Sequence, residues 1–255
     1  MREPAGGKQI ENPMAPENHP SAMIVIAARP VIRVLFVCMA LLIVAGLGVQ
    51  VSARLLGHDS LFGFVRQFDL DGENNVPAWF STICLFLCAV ALAAIALTEW
   101  RRKAPLRFYW FGLMGTFFLL SLDEAASFHE MLVVPVGRAM LAGGFWYLGW
   151  VIPGSFFVLG FVLVYGRFLR QIPAQTRRDF LVAGFVFCSG CLGMEVIGGE
   201  YSSLHGADFN YSLMVVLEES LEMTGEILFL RSLLAYLADH VGSLTVRVRV
   251  DRSAA

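Results

Sequence analysis

Acidic side chains interrupt three of the apolar segments of this chain. They are Asp123, Glu124 and Glu130 in one segment, Glu195 and Glu200 in a second, and Glu218, Glu219, Glu222 and Glu226 in a third. An ionised group in hydrocarbon costs at least about 2.5 kcal/mol, so such groups must face inward and be protonated, paired or bound to a cation. Arg231 is the only nearby base within these segments, and salt bridges therefore cannot neutralise the set.

The spacing of the acids predicts that several of them meet. Glu219, Glu222 and Glu226 occupy positions i, i+3 and i+7, which is one face of a helix. At a rise of about 1.5 Å per residue, Glu124, Glu195 and Glu219 lie at comparable depths in the outer half of the membrane. One shared site is expected there, and Glu226 is expected to lie too deep for it.

Two pairs of candidate residues need a break in their helix to share a centre. Glu124 and His129 are five residues apart, about 140° around an ideal helix, so both can face one point only if the helix loosens between them. Glu195 and Glu200 have the same spacing, and Gly198-Gly199 offers such a break.

The ligand inventory favours a metal centre as the first hypothesis. Histidines His129 and His205 with four or more carboxylates suit a di-iron or di-manganese carboxylate site, although the Glu-x-x-His pairs of soluble versions are absent from the sequence. We predict a divalent metal (Fe, Mn or Zn) held by Glu124, His129, Glu195, Glu219 and Glu222, with Asp123 and Glu218 as the catalytic groups beside it. Such a metalloenzyme would act on a lipid-like substrate.

Two further hypotheses use the same acids differently. Glu219, Glu222 and Glu226 at graded depth could pass protons or bind cations in a proton- or cation-coupled transporter. Alternatively, protonated carboxyl groups could hydrogen-bond to residues such as Ser121 and Ser189 and hold the helices of a non-catalytic membrane subunit together.

The composition decides the class of protein that must position these residues. The chain has 255 residues, of which 57% are hydrophobic and 16% charged, with a mean hydropathy of +0.65. Globular domains average about 45–50% apolar and about 25% charged residues. The composition therefore argues against a soluble enzyme, a disordered chain or a nucleic-acid binder, and it indicates a polytopic membrane protein with the lipid bilayer as its surroundings.

Hydropathy predicts an all-α bundle of six transmembrane helices within residues 31–240. Their approximate ranges are 32–53, 78–99, 108–130, 145–166, 180–199 and 211–236. Sixteen of the 19 Lys and Arg residues fall in alternate connections, in the two tails, or in the parts of the first and sixth helices near those tails. This bias predicts that both termini, a disordered tail 1–30 and a tail 241–255, are cytoplasmic. A cleaved signal peptide ending near Val51-Ser52-Ala53 is the alternative for the first helix.

Two further features leave alternatives open. The acidic segment Asp69–Asn75 begins like a calcium loop but has Phe80 at the twelfth position, so a turn that caps the second helix is favoured. Whether this segment and His205 join the acids is open. Cys188 and Cys191 have the spacing of redox and metal sites, but beside several glycines they also suit close helix packing.

Three motifs together resemble those of an uncharacterised family of bacterial polytopic inner-membrane proteins with no assigned activity. They are Leu70–Ser81, Ser121–Glu124 with His129-Glu130, and Glu218-Glu219 with Glu222-Met223 and Gly225. The resemblance covers most of the chain from the first helix onward. It implies a membrane protein and no particular chemistry.

Overall fold

A computed structural model of the chain describes residues 27–58, 60–129, 131 and 148–242. Every regular element within these ranges is helical, which confirms the all-α prediction for the described part of the chain. The predicted tails 1–30 and 241–255 lie outside the described residues apart from their innermost positions. Glu130 also lies outside them.

The first half of the chain forms four helices and one short turn. They are α1 (Ala28–Arg54), a 3₁₀ turn (Leu61–Gly63), α2 (Phe64–Phe68), α3 (Val76–Arg101) and α4 (Arg107–Ala126). The side chain of Asn75 accepts a hydrogen bond from the backbone nitrogen of Ala78 at 3.1 Å, and Pro77 occupies the first turn of α3. Both are typical helix-start features. The end of the acidic segment therefore caps α3, as predicted.

The described residues of the second half form four further helices. They are α5 (Leu148–Gln171), α6 (Ala174–Cys188), which continues through a π-helical turn (Ser189–Met194) into α7 (Glu195–His205), and α8 (Phe209–Tyr236), which ends in a short π-helical extension (Leu237–Val241). The π-turn joins α6 and α7 without interrupting them, and it widens the helix at a Gly-rich point of the sequence. The loosening predicted at Gly198-Gly199 is wrong in position, because α7 continues through these glycines.

Four helical segments are long and apolar enough to cross a membrane. They are Ala28–Arg54, Val76–Arg101, Gly149–Gln171 and Ala174–His205. Large apolar side chains on α1, such as Val37, Leu41 and Val44, are exposed, as are Phe156 and Leu163 on α5. Exposed apolar faces of this extent mark contact with a membrane or with other proteins.

Aromatic packing and close helix approach organise the interior. The buried ring of Trp110 on α4 lies 4.9 Å from the ring of Phe168 on α5 and 4.8 Å from that of Tyr236 on α8. Helix α8 also lies against α6 at Gly225, where a Cβ atom would come within 2.7 Å of the backbone nitrogen of Phe187. Only glycine permits this approach, which holds the acidic face of α8 beside the π-turn.

Candidate functional site

A cavity of about 570 Å³ lies among α4, α5, the α6–α7 run, α8 and the segment before α3. All seven predicted site residues line it, and so do further acids. The acidic lining residues are Asp71, Glu73, Asp123, Glu124, Glu195, Glu218, Glu219, Glu222 and Glu226. Among the lining residues that the structure describes, His129 is the only side chain able to carry a positive charge. The acids of three apolar segments therefore converge, as predicted.

The end of α4 places His129 and Glu124 at the same cavity. The helix stops at Ala126, and Ser127 adopts a left-handed backbone conformation with φ of 53°. The backbone nitrogen of His129 then donates to Oδ1 of Asp123 at 2.8 Å, and its Nδ1 lies 3.0 Å from Oδ2 of the same carboxylate. The loosening that the Glu124–His129 spacing required is present.

Glu73, on the other side of His129, comes from the acidic segment before α3. Its carboxylate accepts a hydrogen bond from the Ser127 hydroxyl at 3.0 Å and lies 3.7 Å from Nε2 of His129. Burial disfavours the charged imidazole, but the hydrogen bond to Asp123 and the charges of Asp123 and Glu73 outweigh it. The net effect raises the pKa of His129.

A chain of hydrogen bonds holds the acidic segment in place. The Gln50 side-chain nitrogen on α1 donates to Asp69 at 2.6 Å, and the Ser212 hydroxyl on α8 donates to the Gln50 oxygen at 3.0 Å. Asn75 donates to the backbone oxygen of Asp69 at 2.6 Å. Leu70 is buried, and its side chain occupies the space where a Cβ atom of Gly46 would lie. The segment is thus fixed to α1 and α8.

This anchoring brings Asp71 to the mouth of the cavity. Its Oδ1 accepts a hydrogen bond from the Tyr211 hydroxyl of α8 at 3.2 Å. The surrounding protein withdraws the carboxyl from bulk water although part of the residue stays accessible, and this desolvation, with the charge of Asp69, raises the pKa of Asp71 to about 6. The Tyr211 hydrogen bond opposes the increase. Asp71 and Glu73 therefore join the acids, a possibility that the sequence left open.

The deepest acid of the cavity is Glu226. It is 3% exposed, and its Oε2 atom has no hydrogen-bond partner among the described residues. The expectation that Glu226 is too deep for the shared site is wrong, because the cavity extends past it. Beyond Glu226 the Phe229 ring stacks on Phe117 at 4.4 Å and lies 4.6 Å from Phe180. The cavity is therefore acidic toward the end of α4 and aromatic toward the opposite end.

The metal prediction gains no support from this geometry. Within residues 27–58, 60–129, 131 and 148–242, no group of three or more His, Cys, Asp or Glu side chains is arranged to hold a metal ion. The five predicted ligands share a cavity of considerable size but are not gathered into one coordination sphere.

Residues 34–237 match a family model described as Domain of unknown function (DUF8692). The chain belongs to the DUF8692 family. The matched region begins in α1 and ends just after α8, so it contains every residue that lines the cavity. No curated protein and no solved structure matches the chain.

Other residues of the DUF8692 region that the sequence singled out fall into two groups. Glu200 is exposed and His205 stacks on Tyr201 at 4.5 Å, and neither residue lines the cavity. Cys188 and Cys191 do line it, Cys188 as the last residue of α6 and Cys191 within the π-turn. All five cysteines are free. The two thiols therefore mark a wall of the cavity that faces α8.

Proposed function

We propose that this protein is a six-span protein of the bacterial inner membrane that binds a cationic amphiphile in the cavity and releases protons as it does so. Such exchange is the elementary step of a proton-coupled transporter. Helices α4 and α8 would supply the two spans beyond the four apolar ones, since they have 20 and 28 residues. The bias of Lys and Arg supports cytoplasmic termini.

The observation that carries the proposal is the charge imbalance of the cavity. Nine carboxyl groups line it, against one imidazole among the described lining residues. Ionised carboxylates at membrane depth need compensating charge. In the empty cavity, protons bound to the carboxyl groups would remove their negative charge. A positively charged ligand would replace some of these protons. Binding of the cation is then linked to proton release by mass action.

The shape of the cavity supports a ligand with an apolar chain. Aromatic rings line the part beyond Glu226, including Phe117, Phe161, Phe180 and Phe229. Such rings bury hydrocarbon and attract ammonium groups through their π-faces. Small-molecule sites combine apolar walls with a few placed polar groups. A primary alkylamine with a medium-length chain has both required parts.

Binding of decylamine to the protein in lipid nanodiscs tests the proposal. We expect calorimetry in buffers of different ionisation enthalpy to show proton release, and the affinity to rise with pH by up to about tenfold per pH unit for each proton released. Glu222→Gln should weaken binding by about tenfold or more, the loss expected for one charge-assisted contact. Glu200→Gln, which changes an exposed acid of α7, is the matched control. Absence of binding between pH 6 and 8 would overturn the proposal.

The contact between His129 and Asp123 favours a second candidate, an enzyme acting on a lipid-like substrate. A carboxylate bound to Nδ1 orients an imidazole and stabilises its protonated form, which suits a general base. Asp123 and His129 both line the cavity. Chemical turnover of membrane lipids by the purified protein, abolished in His129→Gln and retained in Glu200→Gln, would support this candidate over the first.

A further inference from the structure

We infer that Glu226 selects the headgroup of the ligand: the cavity takes alkylamines whose ammonium carries an N–H and discriminates against a quaternary ammonium of the same chain length. This inference rests on the proposed function and names its substrate class. Glu226 thereby becomes a specificity-determining residue at the boundary between the acidic and the aromatic parts of the cavity.

The first observation is the unsatisfied oxygen of Glu226. Its Oε2 atom is buried and accepts no hydrogen bond from any described residue. The Cys88 thiol donates to the backbone oxygen of Glu226 at 3.7 Å and not to its carboxyl group. A buried acceptor without a donor costs about 1–3 kcal/mol. A ligand that supplies a donor at this point removes that cost.

The second observation is the chemistry of the surroundings. Along the cavity face of α8, the neighbours of Glu226 are Glu222 and Phe229, one turn away on either side. A phenyl ring has no N–H or O–H, and Glu222 makes no hydrogen bond to the Oε2 atom of Glu226. The terminal torsion of a glutamate is broad, so a small rotation presents either of its oxygens to the cavity. The missing donor is therefore best supplied by the ligand.

Hydrogen bonding distinguishes a primary from a quaternary ammonium group, whereas charge and attraction to aromatic rings do not. A primary and a quaternary ammonium carry the same charge, and aromatic rings attract both. Only the N–H group forms a directional, charge-assisted hydrogen bond with a carboxylate. The net value of such a bond predicts that decylamine binds about tenfold or more tightly than decyltrimethylammonium.

A methylation series measures this selectivity in the unmodified protein. Decylamine, its N-methyl and N,N-dimethyl derivatives, and decyltrimethylammonium would be titrated into nanodiscs at one pH by calorimetry. We expect the first three ligands to bind similarly and the affinity to fall at the last methylation, where the N–H is lost. A gradual decrease along the series would indicate steric size and would overturn the inference.

Two variants locate the selectivity. In Glu226→Gln we expect the primary and quaternary ligands to bind within about threefold of each other, since the charge-assisted bond is lost. In Glu200→Gln the fall in affinity at the last methylation should be as large as in the unmodified protein. Circular dichroism and size-exclusion chromatography would establish that both variants are folded. If a variant does not fold, the methylation series in the unmodified protein still tests the inference.

The outcomes separate this inference from the function on which it rests. Binding of decylamine with proton release, but without a step at the last methylation, would overturn the role of Glu226 and leave the proposed function in place. Failure of all four ligands to bind would overturn both.

Discussion

Nδ1 of His129 lies 3.0 Å from Oδ2 of Asp123, while the backbone nitrogen of His129 donates to Oδ1 of the same carboxylate. One side chain near the end of α4 thus holds both the backbone and the ring of a residue six positions later. The contact closes the turn around the left-handed Ser127. It also directs Nε2 of His129 toward Glu73, which comes from a different part of the chain.

This contact predicts a pH-dependent stability. The pKa of His129 is raised in the folded protein, so the contribution of its charge is fully present below the unfolded value of about 6.5 and is lost as the pH rises through the folded value. His129→Gln should therefore lower the unfolding temperature more at pH 5.5 than at pH 9. Thermal unfolding in detergent measures the difference, and an equal loss at both pH values would contradict the prediction.

The Asp71 carboxylate should instead lower the stability of the folded protein, and it should do so at high pH. Its pKa is raised to about 6 in the folded protein, so its ionised form opposes folding above that pH, and this opposition disappears as the pH falls toward its ordinary value. Asp71→Asn should raise the unfolding temperature at pH 8, and less so at pH 5. The accessible position of Asp71 keeps the effect modest. A decrease at pH 8 would show that the carboxylate stabilises the segment.

Tyr211 provides an independent check on Asp71. Its hydroxyl donates to the carboxylate and lowers the pKa that burial and Asp69 raise. Tyr211→Phe should therefore raise the pKa of Asp71 further, as measured by carbon-13 NMR of labelled aspartate. An unchanged or lower pKa would mean that the hydrogen bond does not form in the membrane protein.

The sequence predicted those parts of the site that depend on local periodicity. Glu219 and Glu222 share a face of α8 because the helical repeat places them there. The break between Glu124 and His129 was required by their spacing, and it occurs at Ser127. These predictions needed only the rise and rotation of a regular helix.

The remaining parts depend on contacts between distant residues. Asp71 reaches the cavity because Gln50, Ser212 and Tyr211 anchor its segment, and no local pattern specifies such contacts. Helix rise alone puts Glu226 outside the site, because it does not reveal how far a cavity extends. The loosening near Glu195 is a π-turn before that residue, and a regular-helix argument does not anticipate it.

The contact between α8 and α6 predicts a strong effect of a small substitution. A methyl group at Gly225 would meet the backbone of Phe187 at 2.7 Å, so the two helices must separate. We expect Gly225→Ala to lower the free energy of unfolding by about 1–3 kcal/mol, as overpacking does. Gly184→Ala on α6 is the control, because a Cβ atom there meets nothing within 4 Å. Equal stabilities in a denaturant titration would contradict this packing.

The rate at which a maleimide labels Cys188 should report whether a ligand occupies the cavity. Its thiol lines the cavity, whereas Cys38 on α1 does not. In chains that keep only one of these cysteines, decylamine at ten times its dissociation constant should slow maleimide labelling of Cys188 about tenfold and leave Cys38 unchanged, because only the unoccupied cavity admits the reagent. Equal slowing at both positions would indicate a general effect of the amine on the membrane. Unchanged labelling of Cys188 would place the ligand outside the cavity.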